Sequence, residues 1–235
     1  MLLTPIGLDS ECWRWLELPA GLQVARPEYP GHGSRARASA RFDLDQLADE
    51  VASAHRGPLH LVGVSLGGMV AQHLALRHPR RVSSLLLACT GPSADAEKMR
   101  ARAAETEEKG MEGVLEATLG RWFTPEALAR EPKHPGVAYA RRTLLALDPG
   151  SFADGWRAIG THDVLDRLGE IDAPTTCLAG SVDPAAPPER MRSLAEAVPG
   201  ARLIVVEGGP HMLHLERPDE FSAALRRHLE EAGAP

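Results

Sequence analysis

The sequence is poor in cysteine and in aromatic residues. Its three cysteines, Cys12, Cys89 and Cys177, are widely spread along 235 residues. An odd number without close spacing provides neither a disulfide framework nor a zinc-binding pattern, and it is typical of a reducing cytoplasm. Phe, Trp and Tyr make up only 4% of the chain, so adjacent aromatic residues are unusual in it. We therefore expect a cytoplasmic protein without structural disulfides.

An excess of basic charge and a long hydrophobic run are also absent. The formal net charge is −6, which argues against nucleic acid as a partner because phosphate binding requires a basic surface. No apolar run approaches membrane-spanning length, and Met1–Pro5 lacks the basic start and long apolar stretch of a signal peptide. With 43% hydrophobic and 25% charged residues, the chain has the composition of a globular protein and is long enough for one large α/β domain or two small ones.

The most informative motif is a serine between a predicted strand and a predicted helix. Leu59–Val64 is an apolar run typical of a buried parallel strand, and apolar residues then recur at helical spacing until Pro79. Gly63 and Gly67 flank Ser65 as G-x-S-x-G, the spacing of a turn so sharp that the serine backbone is strained. This motif alone also occurs by chance. If it is a nucleophile elbow, Ser65 lies at a helix N-terminus, which favours developing negative charge.

Two further polar residues follow strands in the second half of the chain. Thr175–Ala179 is predicted to lead to Asp183, and Arg202–Val206 to His211. Because parallel strands end at one edge of a sheet, both side chains are expected beside Ser65. The order Ser, Asp, His is that of hydrolases with a nucleophile elbow. A serine hydroxyl is a weak nucleophile, an imidazole takes its proton, and a carboxylate orients the imidazole. We therefore predict a catalytic triad.

Each of these residues also has a simpler interpretation. Asp183 before Pro184 is typical of a turn, and a loop histidine is often only a hydrogen-bonded structural residue. Their joint occurrence, each after a strand, favours the triad. His214 is the rival base, but it is further from the strand end. Asp163 and Asp172 are weaker candidates for the acid because they precede the strand.

The middle of the chain has a different character. Val82–Ala88 is predicted as a core strand, but residues 94 to about 168 show a charged, helical pattern with turns such as the one at Gly110. An all-helical insertion in an α/β sheet would cover the carboxyl edge as a lid. Arg121-Trp122-Phe123 places a cation beside two rings there. These rings either anchor the lid to the core or contact the substrate, and the sequence leaves both interpretations open.

The N-terminal part is predicted to complete the sheet. Met1–Leu3 and Leu22–Arg26 are predicted as short strands with a helical connection over Cys12–Leu18, followed by an amphipathic helix over Asp43–His55. Together with the four strands predicted in the rest of the chain, these two make a sheet of about six strands. Thr4-Pro5-Ile6-Gly7 lies at the carboxyl end of the first strand, the edge where open α/β sheets bind ligands.

Several of these stretches resemble a known superfamily. Gly63–Gly68, Gly180–Pro184 and Gly209–Pro218 together resemble the α/β-hydrolase superfamily. Within it, the chain is similar to the 3-oxoadipate enol-lactonases from about Asp9 to Leu229. The stretches that carry the narrower likeness are Arg121–Pro125, Asp148–Phe152 with Ala158-Ile159, and Leu168–Pro174 leading into Ala179-Gly180.

The resemblance implies an α/β-hydrolase fold, with a mostly parallel, doubly wound sheet whose usual first strands are missing here. It divides the chain into a core, residues 1–90 and 173–235, and a helical lid insertion over residues 91–172. The missing strands raise the expectation of a homodimer, since a partner would cover a sheet edge that otherwise invites aggregation.

The resemblance also implies a mechanism and a substrate. Family members have a His-Gly-x-Gly turn that supplies an oxyanion-hole amide, and here the backbone N–H groups of Ile6 and Leu66 are predicted in that role. Ser65 would attack a small-molecule ester or lactone and form an acyl-enzyme, with no cofactor and no metal. The carboxylate of an enol-lactone needs a cation, for which Arg121 is the first choice, with Trp122 beside it.

Two other classes of function stay open. A general carboxylesterase, a thioesterase or a cofactor-free perhydrolase would use the same triad with a different pocket. A ligand-binding protein on a hydrolase fold is the non-catalytic alternative, since fold does not fix function. The main support for this alternative is that Thr4-Pro5-Ile6-Gly7 stands where the family has its His-Gly-x-Gly turn.

Overall fold

The computed structural model describes residues 1–234, which form a five-stranded parallel sheet covered by helices. The strands lie in the sheet in the same order as in the chain. They are Leu2–Leu3 (β1), Leu59–Val64 (β2), Val82–Ala88 (β3), Thr175–Gly180 (β4) and Arg202–Val206 (β5). Because each neighbouring pair is parallel, all five carboxyl ends lie at one edge of the sheet.

The helices account for most of the remaining regular structure. They are Leu44–Ala54 (α1), Leu66–Arg77 (α2), Ala96–Trp122 (α3), Pro125–Ala129 (α4), Pro135–Ala146 (α5), Pro149–Ile159 (α6), Pro188–Ala197 (α7), Leu213–Glu216 (α8) and Pro218–Glu231 (α9). Among residues 1–234, no helix combines the length and apolar character needed to cross a membrane.

The central strands show why the sheet forms where the sequence predicts it. Each residue of β4 is buried, and in β3 only Ser83 is partly exposed. Parallel strands with helices on both faces have no solvent-facing side, so an uninterrupted apolar run stabilises them. The helix predicted over Asp43–His55 is also present as α1, and Asp43 begins it with a capping box to Gln46.

Two N-terminal predictions were wrong. The sixth strand, predicted over Leu22–Arg26, is absent: this stretch has no regular secondary structure, and a hydrogen bond of 2.9 Å from the Leu2 amide to the Ala25 carbonyl joins it to β1. β1 has only two residues and offers few hydrogen-bond partners, and Val24 is 38% exposed, so little apolar burial stabilises the pairing. In place of the helix predicted over Cys12–Leu18 there is a short 3₁₀ turn over Ser10–Trp13, and Pro19 disfavours helical backbone at Leu18, the predicted helix end.

The contact between Ala25 and β1 bears on the predicted homodimer. β1 is the edge strand at which the missing strands were expected to leave unpaired backbone, and the Ala25 carbonyl pairs with its Leu2 amide. The edge strand itself is only two residues long. A short edge lined by the chain's own segment does not require a second copy to cover it, so the sheet provides no support for the expected homodimer.

The stretch between β3 and β4 contains α3–α6 and a 3₁₀ turn over Leu165–Glu170, and we call residues 96–170 the helical segment. An isolated antiparallel bridge joins Ser93, which precedes this segment, to Asp163 near its end. The turn predicted at Gly110 is a kink inside α3, where Gly110 has φ 66°. The kink gives the two halves of α3 different directions.

Candidate active site

Ser65 lies on a strained turn between β2 and α2. Its backbone has φ 53° and ψ −114°, a conformation that is rare for a residue with a side chain. The turn is held by the Ser65 amide, which donates to the Ala88 carbonyl at 3.0 Å, and by the Thr90 hydroxyl, which donates to the Ser65 carbonyl at 2.9 Å. The predicted strained turn is therefore present.

The two flanking glycines are required by close backbone contacts. A Cβ on Gly63 would overlap the Gly67 carbonyl, and a Cβ on Gly67 would overlap the Leu3 carbonyl at the end of β1. Any side chain at either position would push the start of α2 away from the sheet. The glycines thus let the elbow close tightly enough to present the Ser65 hydroxyl at the sheet edge.

The structure brings Ser65, Asp183 and His211 together. His211 Nε2 lies 3.0 Å from the Ser65 Oγ, and His211 Nδ1 lies 2.8 Å from Asp183 Oδ2. All three residues are at most 8% exposed. Because an ionised carboxylate only accepts, the ring proton sits on Nδ1 and is donated to Asp183. Nε2 is then free to accept the Ser65 proton.

The local environment keeps Asp183 ionised. Burial by itself raises the pKa of this carboxyl, but the neighbouring His211 and two backbone amides outweigh it, so the net pKa is lowered. The amides of Ala185 and Ala186 donate to Asp183 Oδ1 at 2.8 and 3.0 Å. One carboxylate oxygen is thus fixed by the backbone and the other is aimed at His211.

The rival residues lie elsewhere. His214 is fully buried with its ring centroid 5.0 Å from that of Trp13, and both ring nitrogens lack a hydrogen-bond partner among residues 1–234. Burial lowers its pKa to about 3, so it stays neutral. Asp163 belongs to the bridge with Ser93, and Asp172 is an exposed residue before β4. Neither carboxylate contacts His211.

The Thr4–Gly7 turn packs directly against the elbow. The Leu3 and Thr4 carbonyls are the atoms that a Cβ on Gly67 would meet. Ile6 lines the same cavity as Ser65, and its amide has no hydrogen-bond acceptor among residues 1–234. Leu66 is the first residue of α2, and the amides of a first helical turn have no acceptor within the helix. Both predicted amides are therefore near the serine with unpaired N–H groups.

A cavity of about 280 Å³ lies between the sheet edge and the helical segment. Ser65 and His211 line it on one side. The helical segment contributes Trp122, Trp156 and Ile159 to its apolar lining. This volume is at the small end of the range for small-molecule sites, so the cavity suits a compact ligand.

The cavity is strongly cationic. Its charged lining groups are Lys98, Arg102, Arg121, Arg190 and a single carboxylate, that of Asp95. Asp95 is already engaged as the cap of α3, where it accepts from the Lys98 amide at 3.0 Å. A surplus of positive charge beside a nucleophile favours an anionic ligand.

The arginines of the cavity have no carboxylate of the described chain in direct contact, although the charge of Glu105 acts on Arg102 and Arg121 from further away. Within the described residues, Arg102, Arg121 and Arg190 form no ion pair with a carboxylate; Arg121 donates only to the Thr118 hydroxyl at 3.1 Å. The Arg102 guanidinium stacks over Trp156, with Cζ 4.8 Å from the ring centroid. Burial and the charge of Arg121 together lower the pKa of Arg102 to about 10, so both groups remain cations at neutral pH.

Trp122 lines the cavity and also joins the helical segment to the core. It lines the cavity and is 2% exposed, while Phe123 is buried outside the cavity lining. The Trp122 carbonyl also accepts from the Met212 amide at 2.9 Å, and Glu216 accepts from the Thr124 hydroxyl at 2.6 Å. These two hydrogen bonds join the end of α3 to the loop that carries His211.

Sequence reasoning missed several residues of the site. Arg102, Arg190 and Trp156 have no local motif to mark them, because they come from helices that face the cavity only after folding. Thr90, whose hydroxyl supports the Ser65 turn, was also not identified as a site residue. Its position directly after a core strand was an available signal, since the other site residues share it. The described residues contain no cluster of His, Cys, Asp and Glu placed to hold a metal ion.

A parallel sheet with a serine on a strand–helix turn at its carboxyl edge is the arrangement of the α/β hydrolases. A comparison of the sequence with known protein families leads to the same class. The chain belongs to the alpha/beta hydrolase family, which it matches over residues 1–224.

Named relatives fall into two groups. The chain is similar to a pimeloyl-[acyl-carrier protein] methyl ester esterase of Chromobacterium violaceum, with 35% identity over 217 residues, covering 86% of this chain and 82% of that protein. It is also similar to 3-oxoadipate enol-lactonase 2 of Acinetobacter baylyi, with 26% identity over 200 residues, covering 83% of this chain and 74% of that protein.

Solved structures agree with this assignment. The enol-lactonase from Burkholderia xenovorans LB400 superimposes with a TM-score of 0.88 at 27% identity, covering 97% of this chain and 90% of that one. A hydrolase from Pseudomonas aeruginosa PA01 has a TM-score of 0.90 at 29% identity, covering 97% of this chain and 88% of that one. The predicted superfamily and the predicted likeness to enol-lactonases are confirmed, and the methyl ester esterases are a group that the sequence reasoning did not name.

Proposed function

We propose that this protein is a serine hydrolase that cleaves a small carboxylic ester or lactone bearing a negative charge. The observation that carries the proposal is the hydrogen-bonded chain from Ser65 Oγ through His211 to Asp183, at 3.0 and 2.8 Å, which opens into a cationic cavity. Ser65 is the nucleophile, His211 the base, and Asp183 the carboxylate that orients the ring.

The acylation step uses these groups in order. Ser65 Oγ attacks the substrate carbonyl carbon while its proton passes to His211 Nε2, and the ionised Asp183 stabilises the imidazolium. The carbonyl oxygen becomes an oxyanion, which we assign to the N–H groups of Leu66 and Ile6. When the tetrahedral intermediate collapses, the bond to the leaving oxygen breaks. His211 gives its proton to that oxygen, which departs as an alcohol, or stays attached if the substrate is a lactone.

The deacylation step reverses the roles of the same groups. A water molecule attacks the acyl-enzyme carbonyl and gives a proton to His211 Nε2. The Ser65 oxygen then leaves and takes that proton back, which releases the carboxylic acid and restores the serine. We propose that residues 91–172 act as a lid, since the helical segment contributes Met99, Trp122, Trp156 and Ile159 to the lining of the cavity that contains Ser65.

The negative charge of the substrate follows from the cavity lining. Arg102 and Arg121 face the cavity from α3 without a carboxylate partner within residues 1–234. An anionic group on the substrate would restore neutrality in a partly desolvated site and form charge-assisted hydrogen bonds. This favours an acidic lactone, as in the enol-lactonase relatives. A methyl ester of an acidic acyl group is the second candidate, and the relative with 35% identity favours it.

A fluorophosphonate probe tests the nucleophile. We expect the wild-type protein to take up one phosphonyl group, with the adduct mapping by mass spectrometry to the peptide that contains Ser65, because this hydroxyl both has an imidazole within hydrogen-bond distance and lines the cavity. The Ser65→Ala variant should remain unlabelled. Equal labelling of this variant would contradict the assignment, and a folded wild-type protein that takes no label would favour a ligand-binding function.

Arg121 provides the second test, through substrate charge. We expect Arg121→Met to lower kcat/KM about 10- to 100-fold for an acidic lactone or an acidic half-ester, and less than about 3-fold for a neutral ester of the same length. Arg100 is an exposed arginine on the same helix outside the cavity, so Arg100→Met is the matched control and should change neither value. Equal losses for charged and neutral substrates in Arg121→Met would show that Arg121 holds no substrate anion.

A further inference from the structure

One cationic side chain of the cavity, that of Arg190, comes from outside the helical segment. Arg190 lies on α7, which follows β4 and the Asp183 loop, and it lines the cavity with Ala185 and Ala186. Arg102 and Arg121, by contrast, come from α3. The cationic groups of the cavity therefore come from two separate structural elements.

The Arg190 side chain packs against the loop after β3. A Cβ on Gly91 would overlap the Arg190 guanidinium, so the observed position of this side chain uses the space left by a residue without a side chain. The neighbouring Met191 Sδ accepts from the Thr90 amide at 3.2 Å, and Thr90 in turn donates to the Ser65 carbonyl. Arg190 is thus held beside the loop that supports the nucleophile.

Arg190 has no partner of opposite charge in contact. Among residues 1–234 it forms neither a hydrogen bond nor an ion pair with a carboxylate, although it is largely shielded from solvent. The nearby Asp183 influences it from a distance, but the oxygens of that carboxylate are taken by His211 and the amides of Ala185 and Ala186. Burial lowers the pKa of Arg190 without a contact ion pair to offset it. A partly buried, unpaired guanidinium costs stability unless a ligand uses it.

The two cationic groups lie on different parts of the cavity wall. Arg121 and Arg102, which stacks over Trp156, both come from α3. Arg190 comes from α7 and packs against Gly91. A ligand with one anionic group bound by Arg102 and Arg121 therefore leaves the charge of Arg190 unmatched.

We propose that Arg190, in the space left by Gly91, forms a second anion subsite, so that the substrate of Ser65 has two anionic groups, one bound by Arg102 and Arg121 and one by Arg190. This inference rests on the proposed function and narrows its substrate to a dianion. The second group is a carboxylate or a phosphate, since a guanidinium binds either through paired hydrogen bonds.

Equilibrium binding tests the subsite without turnover. In the Ser65→Ala background, calorimetry compares saturated dicarboxylates from succinate to suberate with monocarboxylates of the same length and with inorganic phosphate. We expect at least one dicarboxylate to bind about 10- to 100-fold more tightly than its monocarboxylate, and Arg190→Met to remove most of that difference. If phosphate binds in an Arg190-dependent way and dicarboxylates gain nothing, the second group is a phosphate.

Two further variants separate binding from structural support. Gly91→Ala retains the charge of Arg190 but displaces its guanidinium, so it should lose the dianion preference to a similar extent. Arg192 is an exposed arginine on α7, and Arg192→Met should change binding less than 2-fold. If Arg190→Met leaves all affinities unchanged, Arg190 serves only to balance Asp183 and the inference is wrong. Since no hydrolysis is measured, this result is separate from a failure of the fluorophosphonate test.

Discussion

We expect the His211→Ala variant to lose about 10⁴-fold or more in kcat for ester hydrolysis. In the proposed mechanism, His211 takes the proton from Ser65 during attack and returns it to the leaving group, so its removal would affect both halves of the reaction. The loss should appear in kcat more than in KM, because the ring acts on the reacting atoms. Steady-state kinetics with p-nitrophenyl acetate measure it, with circular dichroism to verify that the variant is folded.

His214 provides the matched control for this experiment. It lies three residues away and is equally buried, but its ring packs against Trp13 instead of Ser65. His214→Leu should retain activity within a few-fold, and it should not lower stability because it removes two buried nitrogens without partners. Added imidazole should partly restore activity to His211→Ala only. Greater loss in the His214 variant would identify that residue as the base.

The second large effect concerns the elbow. We expect Gly67→Ala to lower the free energy of unfolding by about 3 kcal/mol or more, and to abolish activity in any fraction that folds. The added methyl group would overlap the Leu3 carbonyl, which is backbone and therefore has no rotamer by which to move aside. Separating α2 from β1 would also move the Leu66 and Ile6 amides apart. Denaturant unfolding and the kinetic assay together measure both losses.

Gly120→Ala is the control for the same chemical change. Gly120 lies on an exposed face of α3 with nothing within 4 Å of an added Cβ. Alanine is the better helix former, so this variant should be as stable as the wild type or up to about 1 kcal/mol more stable. If Gly67→Ala were equally harmless, the tight contact between the elbow and β1 would have no energetic importance.

The strands and the order of the site residues were predictable because their signals are local. The apolar runs of β2, β3 and β5 are bounded by turn residues and match the structure at both ends. Their carboxyl ends share one edge, so the residues after β2, β4 and β5 had to meet. The absent sixth strand was not predictable in this way, because strand formation over Leu22–Arg26 depends on how much partner backbone the two-residue β1 offers.

The cationic cavity shows what sequence reasoning could not reach. Arg121 was named because it precedes two aromatic residues, but Arg102 and Arg190 lie among ordinary charged helix positions. Nothing in the local pattern distinguishes Arg190 from the exposed Arg192. The difference arises only when α7 packs against the loop after β3 and Gly91 leaves room for one guanidinium.

The hydrogen bonds from Met212 to Trp122 and from Thr124 to Glu216 have a consequence for protein engineering. They anchor the part of the chain that shapes substrate preference to the loop that positions the base. Mutations at the end of α3 that enlarge or recharge the cavity would therefore also shift His211. Directed evolution toward new substrates should show an early trade-off between selectivity and turnover, with compensating changes arising in residues 212–216.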